Sequence, residues 1–154
     1  MAFLDPWADP TDDGFQTIQS LLAIGSGGLF GVGLGASRQK LYYLPERHTD
    51  FIFAIIGEEL GFLGAGLIVL LFFIFAWRGL RVAITARDNF SCLLATGITT
   101  MIVLQAIVNM GVTTGSLPVT GITLPFISYG GSSLLFTMTA VGILLNLSQY
   151  SSNK

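Results

Sequence analysis

From Leu60 to Trp77 the chain runs 18 residues without a charged or amide side chain. Inside a bilayer every backbone N–H and C=O must be satisfied by the chain itself, so a single segment of this kind can cross only as an α-helix. At 1.5 Å per residue the run covers roughly 27 Å, close to the ~30 Å hydrocarbon thickness once its flanks are added. The stretch therefore predicts a spanning helix that begins near Asp50, and two more apolar stretches repeat the pattern. Spans are expected at about 50–77, 91–112 and 131–147, giving an all-α membrane protein. Hydrophobic residues make up 52% of the chain and its mean hydropathy is +0.73, both above the range of a soluble domain of this size.

In a chain with only 10% charged residues, the window from Arg38 to Gly61 is exceptional: Arg38, Lys40, Glu46, Arg47, His48, Asp50, Glu58 and Glu59 all fall within it. An ionisable residue at the mouth of an apolar segment costs free energy and points to function. Asp50 is the leading candidate. With Thr49 as N-cap and Asp50 opening the helix, Ala54, Gly57, Gly61 and Gly64 fall within roughly 40° of Asp50 around the axis. They form a small-residue seam suited to the close approach of another helix. The competing reading, that Asp50 only favours a helix N-terminus by about 0.3–1 kcal/mol, carries equal weight on chemistry alone.

Residues 1–49 are expected to form a loop outside the cytoplasm. Its first part, AFLDPWADPTDDGF, reads as an acidic segment with Asp-Pro turns, and the spacing of its carboxylates matches no calcium loop. Gln16 to Phe30 begins as an amphipathic helix with Ile18, Leu21, Leu22 and Leu29 on one face; too short to span, it is expected to lie on the membrane surface or re-enter. The glycine run GSGGLFGVGLGAS has no preceding strand and no following Gly-Lys-Ser, which excludes a nucleotide loop. Its amides, with Arg38 and Lys40 behind them, leave room for a pyrophosphate contact.

Arg78, Arg81 and Arg87 crowd the expected connection between the first two spans, whereas Thr113 to Ser128 carries no charge. The Lys/Arg asymmetry places the arginine-rich connection and the C-terminus in the cytoplasm and Asp50 on the outer side. The second span holds Thr96, Thr99, Thr100, Gln105 and Asn109, which suits a buried or cavity-lining helix. Residues 113–130 are expected to be an irregular outer segment, re-entrant because Gly115, Pro118, Gly121, Pro125, Gly130 and Gly131 interrupt apolar sequence. Ser128, Tyr129 and Gly130 are expected near Asp50. One histidine and one cysteine cannot build a zinc site or a Cys-His nucleophile pair, and a net charge of −2 carries no nucleic-acid signature.

Two stretches, Gly33 to Gly61 and LPVTGITLPFISYGGSSLL from Leu117 to Leu135, resemble the SEDS family (shape, elongation, division and sporulation). The likeness is to the FtsW and SpoVE branch rather than to RodA, which usually has His-Gly-Thr-Gln-Ser-Gln where this chain has Ala36 to Lys40 and Pro-Leu-Pro where it has Thr123-Leu124-Pro125. The resemblance implies the C-terminal part of a membrane enzyme of about ten spans, beginning within the large outer loop before the last three helices. Such an enzyme polymerises lipid II into glycan held on undecaprenyl pyrophosphate, in the bacterial plasma membrane, with a class B penicillin-binding protein as partner. The aspartate of the family's His-Thr-Asp-Phe motif, its proposed catalytic residue, falls on Asp50. Tyr42 and Thr120 depart from some relatives, so roles proposed at those positions do not carry over.

Under this reading Asp50 is the general base and Arg38, Lys40, Arg47 and His48, with Ser128, Tyr129 and Gly130, bind substrate. The residues identify no particular cofactor, although a hard cation such as Mg²⁺ between Asp50 and the pyrophosphate is compatible with them. Two other classes compete with the polymerase: a lipid II flippase or transporter, and a non-enzymatic membrane scaffold of the division machinery. A transporter needs polar groups along the whole depth of its path, whereas here the ionisable groups gather at one face.

Overall fold

The computed structural model describes residues 13–33 and 51–151. Among these the regular structure is four helices: α1 (Asp13–Ser26), α2 (Ile52–Ile84), α3 (Asn89–Thr113) and α4 (Gly131–Ser151). The last three are long and apolar enough to cross a membrane.

Helix α2 is interrupted. Gly61 adopts φ 67° and ψ −166°, a region essentially closed to residues with a Cβ. The stretch 62–84 beyond it is about 35 Å long at helical rise and can cross a bilayer without the turns before the break. The break removes two helical hydrogen bonds, those from Phe62 N–H to the Glu58 carbonyl and from Leu63 N–H to the Glu59 carbonyl. The glycine-rich turn after α1 supplies all four lost partners. Val32 N–H donates to Glu58 O at 3.0 Å and Gly33 N–H to Glu59 O at 3.2 Å, while Phe62 N–H donates to Gly28 O at 2.9 Å and Leu63 N–H to Leu29 O at 3.3 Å.

Positions 28 and 32, and 29 and 33, are themselves spaced as helical partners. Two segments have thus exchanged their i to i−4 bonds at a crossing. The exchange needs backbones in contact, and a Cβ on Gly31 would collide with the Glu59 carbonyl. The small-residue seam therefore receives two close-packed partners: Gly57 faces Ile24 of α1, and Gly61 meets the glycine-rich turn.

Two helix boundaries differ from the sequence expectation. Helix α2 starts at Ile52, not at Asp50, with Phe51 as N-cap (φ −105°, ψ 19°) and no side-chain cap. It also continues past Trp77 to Ile84, because the arginines that end an apolar run do not end a helix; Arg, Leu, Val and Ala all propagate one. The stop comes at Thr85, whose amide (3.1 Å) and hydroxyl (2.8 Å) both donate to Arg81 O. Asp88 then caps α3, accepting from Ser91 N–H at 2.9 Å.

Helices α2 and α3 pack through Phe53, Phe72, Ile102 and Ala106, joined by Leu124 from the following segment. A second cluster of Ala83, Ala95 and Leu144 ties α4 to the far end of the pair. Within α3, Thr99 and Thr113 are buried; Thr99 Oγ1 donates to Ala95 O at 2.7 Å and Thr113 Oγ1 to Met110 O at 3.0 Å. Returning a hydroxyl to the helix's own carbonyl lets a polar residue sit in an apolar interface without an orphaned donor.

Helix α1 lies across the start of α2 and the end of α3. Its buried residues are Ile18, Ser20 and Ala23, whereas Leu21 and Leu22 are exposed. The smaller side chains let the backbones approach, while Leu21 and Leu22 stay outward, as a helix expected at the membrane surface would hold them. Ser20 Oγ donates to the Thr113 carbonyl at 2.9 Å, which satisfies an acceptor left open at the end of α3.

Candidate active site

Asp50, Arg38, Lys40, Arg47 and His48 lie outside the described residues, as does Thr49, the expected cap. The structure does define the frame into which they lead. Phe51 is 3% exposed, and Phe53, Ala54 and Ile55 are buried with it. Phe51, Ala54 and Ile55 face Gln16, Gln19, Ser20 and Ala23 of α1 around a void of only about 10 Å³, room for a single water at most. The residue following Asp50 is therefore anchored in protein.

Seven and eight residues beyond Phe51 come the two glutamates. Glu58 is 4% exposed, while Glu59 is half-buried with Oε1 buried and lacking a hydrogen-bond partner among the described residues. One of the pair is thus enclosed by protein. The backbone amides at positions 31 to 33 are also spent: Gly31 N–H donates to Gly27 O at 2.7 Å, and those of Val32 and Gly33 bond α2. They are not open to an anion, so the pyrophosphate contact expected of the glycine run cannot use them.

The segment between α3 and α4 was expected to approach the same region, and two amide side chains direct its path. Asn109 Nδ2 donates to Ile122 O at 2.7 Å and, one helical turn earlier, Gln105 Nε2 donates to Thr123 O at 3.0 Å. The backbone thereby descends alongside α3. Phe126, at φ 68°, continues the descent, with ring centroids 6.3 Å from Phe72 and 6.1 Å from Phe75, at the middle of the 62–84 stretch. Gln105 and Asn109 were visible in the sequence only as polar residues of a span. Their i, i+4 spacing was the available sign that they serve one strip of backbone.

Ser128, Tyr129 and Gly130 complete this segment, each in a different situation. The Ser128 hydroxyl accepts from Leu124 N–H at 2.8 Å and so braces the turn. Gly130 O accepts the first bond of α4 from Leu134 N–H at 2.9 Å. Tyr129 is 92% exposed, and of the three it alone presents its side chain outward. Phe53, three positions after Asp50, and Leu124, four before Ser128, belong to one buried cluster.

The sequence profile of the cell cycle protein family FtsW/RodA/SpoVE matches residues 1–153. The chain belongs to this family. It is 61% identical over 150 residues to stage V sporulation protein E of Bacillus subtilis (strain 168), covering 97% of this chain and 41% of that protein. It is 58% identical over 147 residues to a probable peptidoglycan glycosyltransferase FtsW of Geobacter sp. (strain M18), covering 96% and 40%. The chain thus spans about two fifths of the length of the curated relatives it matches.

Among solved structures, it superposes with TM-score 0.80 and 33% identity on a chain of a structure described as the coordination of polymerization and crosslinking by a peptidoglycan synthase complex, covering 99% of this chain and 41% of that one. It also matches an aspartate-to-alanine variant of the Thermus thermophilus rod shape determining protein RodA, with TM-score 0.66, 36% identity and coverage of 89% and 41%. As a member of the FtsW/RodA/SpoVE family the chain belongs to a multi-pass membrane protein, and the three long helices of the fold agree.

Proposed function

We propose that this chain carries the catalytic aspartate and three of the spans of a peptidoglycan glycosyltransferase acting in division or spore wall synthesis. The observation that carries the reading is identity of 58–61% to stage V sporulation protein E and a probable FtsW glycosyltransferase over nearly the whole chain. The acceptor sugar hydroxyl of lipid II attacks the anomeric carbon of the strand held on undecaprenyl pyrophosphate. Asp50 takes the hydroxyl proton as the new C–O bond forms with inversion, and undecaprenyl pyrophosphate departs with the electrons of the broken bond beside Arg38, Lys40 or Arg47. His48, Ser128, Tyr129 and Gly130 complete the substrate-binding set.

Residues 1–49 form the outer loop and residues 50–154 the membrane domain, in the plasma membrane, with Asp50 outside and the C-terminus in the cytoplasm. Residues 113–130 re-enter the bilayer from the outer side. That placement is supported by the descent of Ile122 to Phe126 along α3 to the middle of the 62–84 stretch, since irregular backbone at membrane depth is tolerated only against protein or a polar cavity. The partner is a class B penicillin-binding protein, a reading supported by likeness to a chain of a peptidoglycan synthase complex.

The test is lipid II polymerisation by a full-length family member carrying this segment, assayed with its partner. Asp50→Asn keeps size and hydrogen bonding while removing the base, and turnover per folded complex should fall by roughly 10²-fold or more. Near-normal turnover by the Asn variant would remove the general-base assignment.

A further inference from the structure

At the end of α2 remote from Asp50 the helices diverge around a cleft of about 1010 Å³. Its lining includes Phe75, Val82, Val141, Leu144 and Leu145 together with Arg78 and Arg81, and no carboxylate. Both arginine residues are exposed, and neither forms an ion pair among the described residues. The helix end does not consume them either. The terminal carbonyls that a guanidinium would otherwise cap are taken by the chain itself, with Thr85 N–H and Oγ1 on Arg81 O and Ala86 N–H on Ala83 O at 3.3 Å.

Trp77, one residue before Arg78, is 61% exposed. Aromatic residues of this kind gather at the boundary between headgroups and hydrocarbon. The two guanidiniums therefore stand at headgroup level, while Val141, Leu144 and Leu145 line the same cleft with aliphatic surface. A protein helix seated here would have to bring a carboxylate to each arginine or leave a buried charge unpaired, at the cost of a broken ion pair. A phospholipid brings both requirements in one molecule, acyl chains for the walls and a phosphate that a guanidinium fork can grip through two donors.

We propose that the Arg78/Arg81 cleft between α2 and α4 binds one anionic phospholipid. It is separate from the proposed polymerisation site, up to about 40 Å away along the helix at 1.5 Å per residue, and does not depend on that reading. Basic pockets between transmembrane helices are known sites for anionic headgroups. Occupancy would fasten the ends of α2 and α4 to each other and to the surrounding leaflet.

The test uses a full-length family member carrying this segment, purified in detergent, incubated with phosphatidylglycerol or phosphatidylcholine and weighed by native mass spectrometry. One phosphatidylglycerol should remain bound. The Arg78→Ala/Arg81→Ala double variant should lose its occupancy by roughly 10- to 30-fold, as two guanidiniums at a membrane surface predict, while the weak phosphatidylcholine signal stays unchanged. Leu145→Trp, which fills the cleft without altering charge, should displace both lipids, and it decides the question alone if the arginine variant fails to fold. Retention of phosphatidylglycerol by either variant at the parent level would overturn the proposal. So would a photo-crosslinker at position 145 that captures another segment of protein instead of lipid.

Discussion

Val32 N–H donates to the Glu58 carbonyl at 3.0 Å, occupying the acceptor that Phe62 would use if α2 were continuous. With the three companion bonds, it means that an interrupted membrane helix leaves no orphaned backbone group at the interruption. In hydrocarbon each such orphan costs several kcal/mol. The glycine-rich turn and the break in α2 therefore form one unit, and neither is stable without the other.

Gly61→Ala should destabilise the fold by about 2 kcal/mol or more, because alanine at this φ/ψ is strained by roughly 1–3 kcal/mol and its methyl meets the backbone of the turn. The measure is the melting temperature of the detergent-solubilised full-length parent. Gly66→Ala, where a Cβ meets nothing within 4 Å, should leave it near the parent value or raise it slightly. Equal losses at both positions would contradict the exchange.

Asn109→Leu removes the donor to Ile122 O, a part-buried hydrogen bond, and should cost about 0.5–1.5 kcal/mol, the net worth of such a bond. The effect should concentrate on residues 117–130, so hydrogen exchange at Leu124 and Ser128 should accelerate before exchange in α2 does. Uniform acceleration throughout the chain would mean that Asn109 serves the general core rather than the path of this segment.

Asp50→Glu retains a carboxylate and still should restore little activity, because an added methylene displaces it by about 1 Å, enough to spoil a near-attack geometry. Partner binding and membrane insertion should be normal. A Glu variant with parental lipid II turnover would show that the carboxylate acts through charge and not through position.

Orientation is open to direct measurement with single cysteines in a Cys92→Ser background. A cysteine replacing Tyr42 should react with an impermeant maleimide in intact cells, whereas one replacing Ile84 should react only after lysis. Labelling at position 84 from outside would reverse the topology inferred from Arg78, Arg81 and Arg87.

The Asp88 cap predicts a pH effect at the opposite end of the molecule. Hydrogen bonds from Ser91 N–H and the Ser91 hydroxyl hold the Asp88 carboxyl below its ordinary value of 3.8. A lowered pKa in the fold means that the contribution is fully present above 3.8 and disappears as pH falls through the still lower folded value. Asp88→Ala should therefore lower the melting temperature at pH 7, and the gap between variant and parent should narrow only below about pH 4. A gap that stays constant down to pH 3 would assign the loss to something other than the ionised cap.

By itself the sequence determined the features that depend on local composition. The apolar runs marked three spanning helices, because hydrocarbon forces long apolar segments into helices, and the charged window before α2 singled out Asp50 and its neighbours. Family membership was also legible, carried by the runs from Gly33 to Gly61 and from Leu117 to Leu135. Tertiary structure alone decided that Gly61 is met by a glycine turn which trades hydrogen bonds with a broken helix. No periodicity encodes that relation, since residues 28–33 and 58–63 are joined by contact across some thirty positions of chain. It decided likewise that Gln105 and Asn109 draw Ile122 and Thr123 down along α3, and that α1 turns Ile18, Ser20 and Ala23 toward its neighbours while Leu21 and Leu22 stay exposed. Hydrophobicity ranks the faces of an isolated helix, whereas backbone proximity and the satisfaction of polar groups choose among them once helices meet.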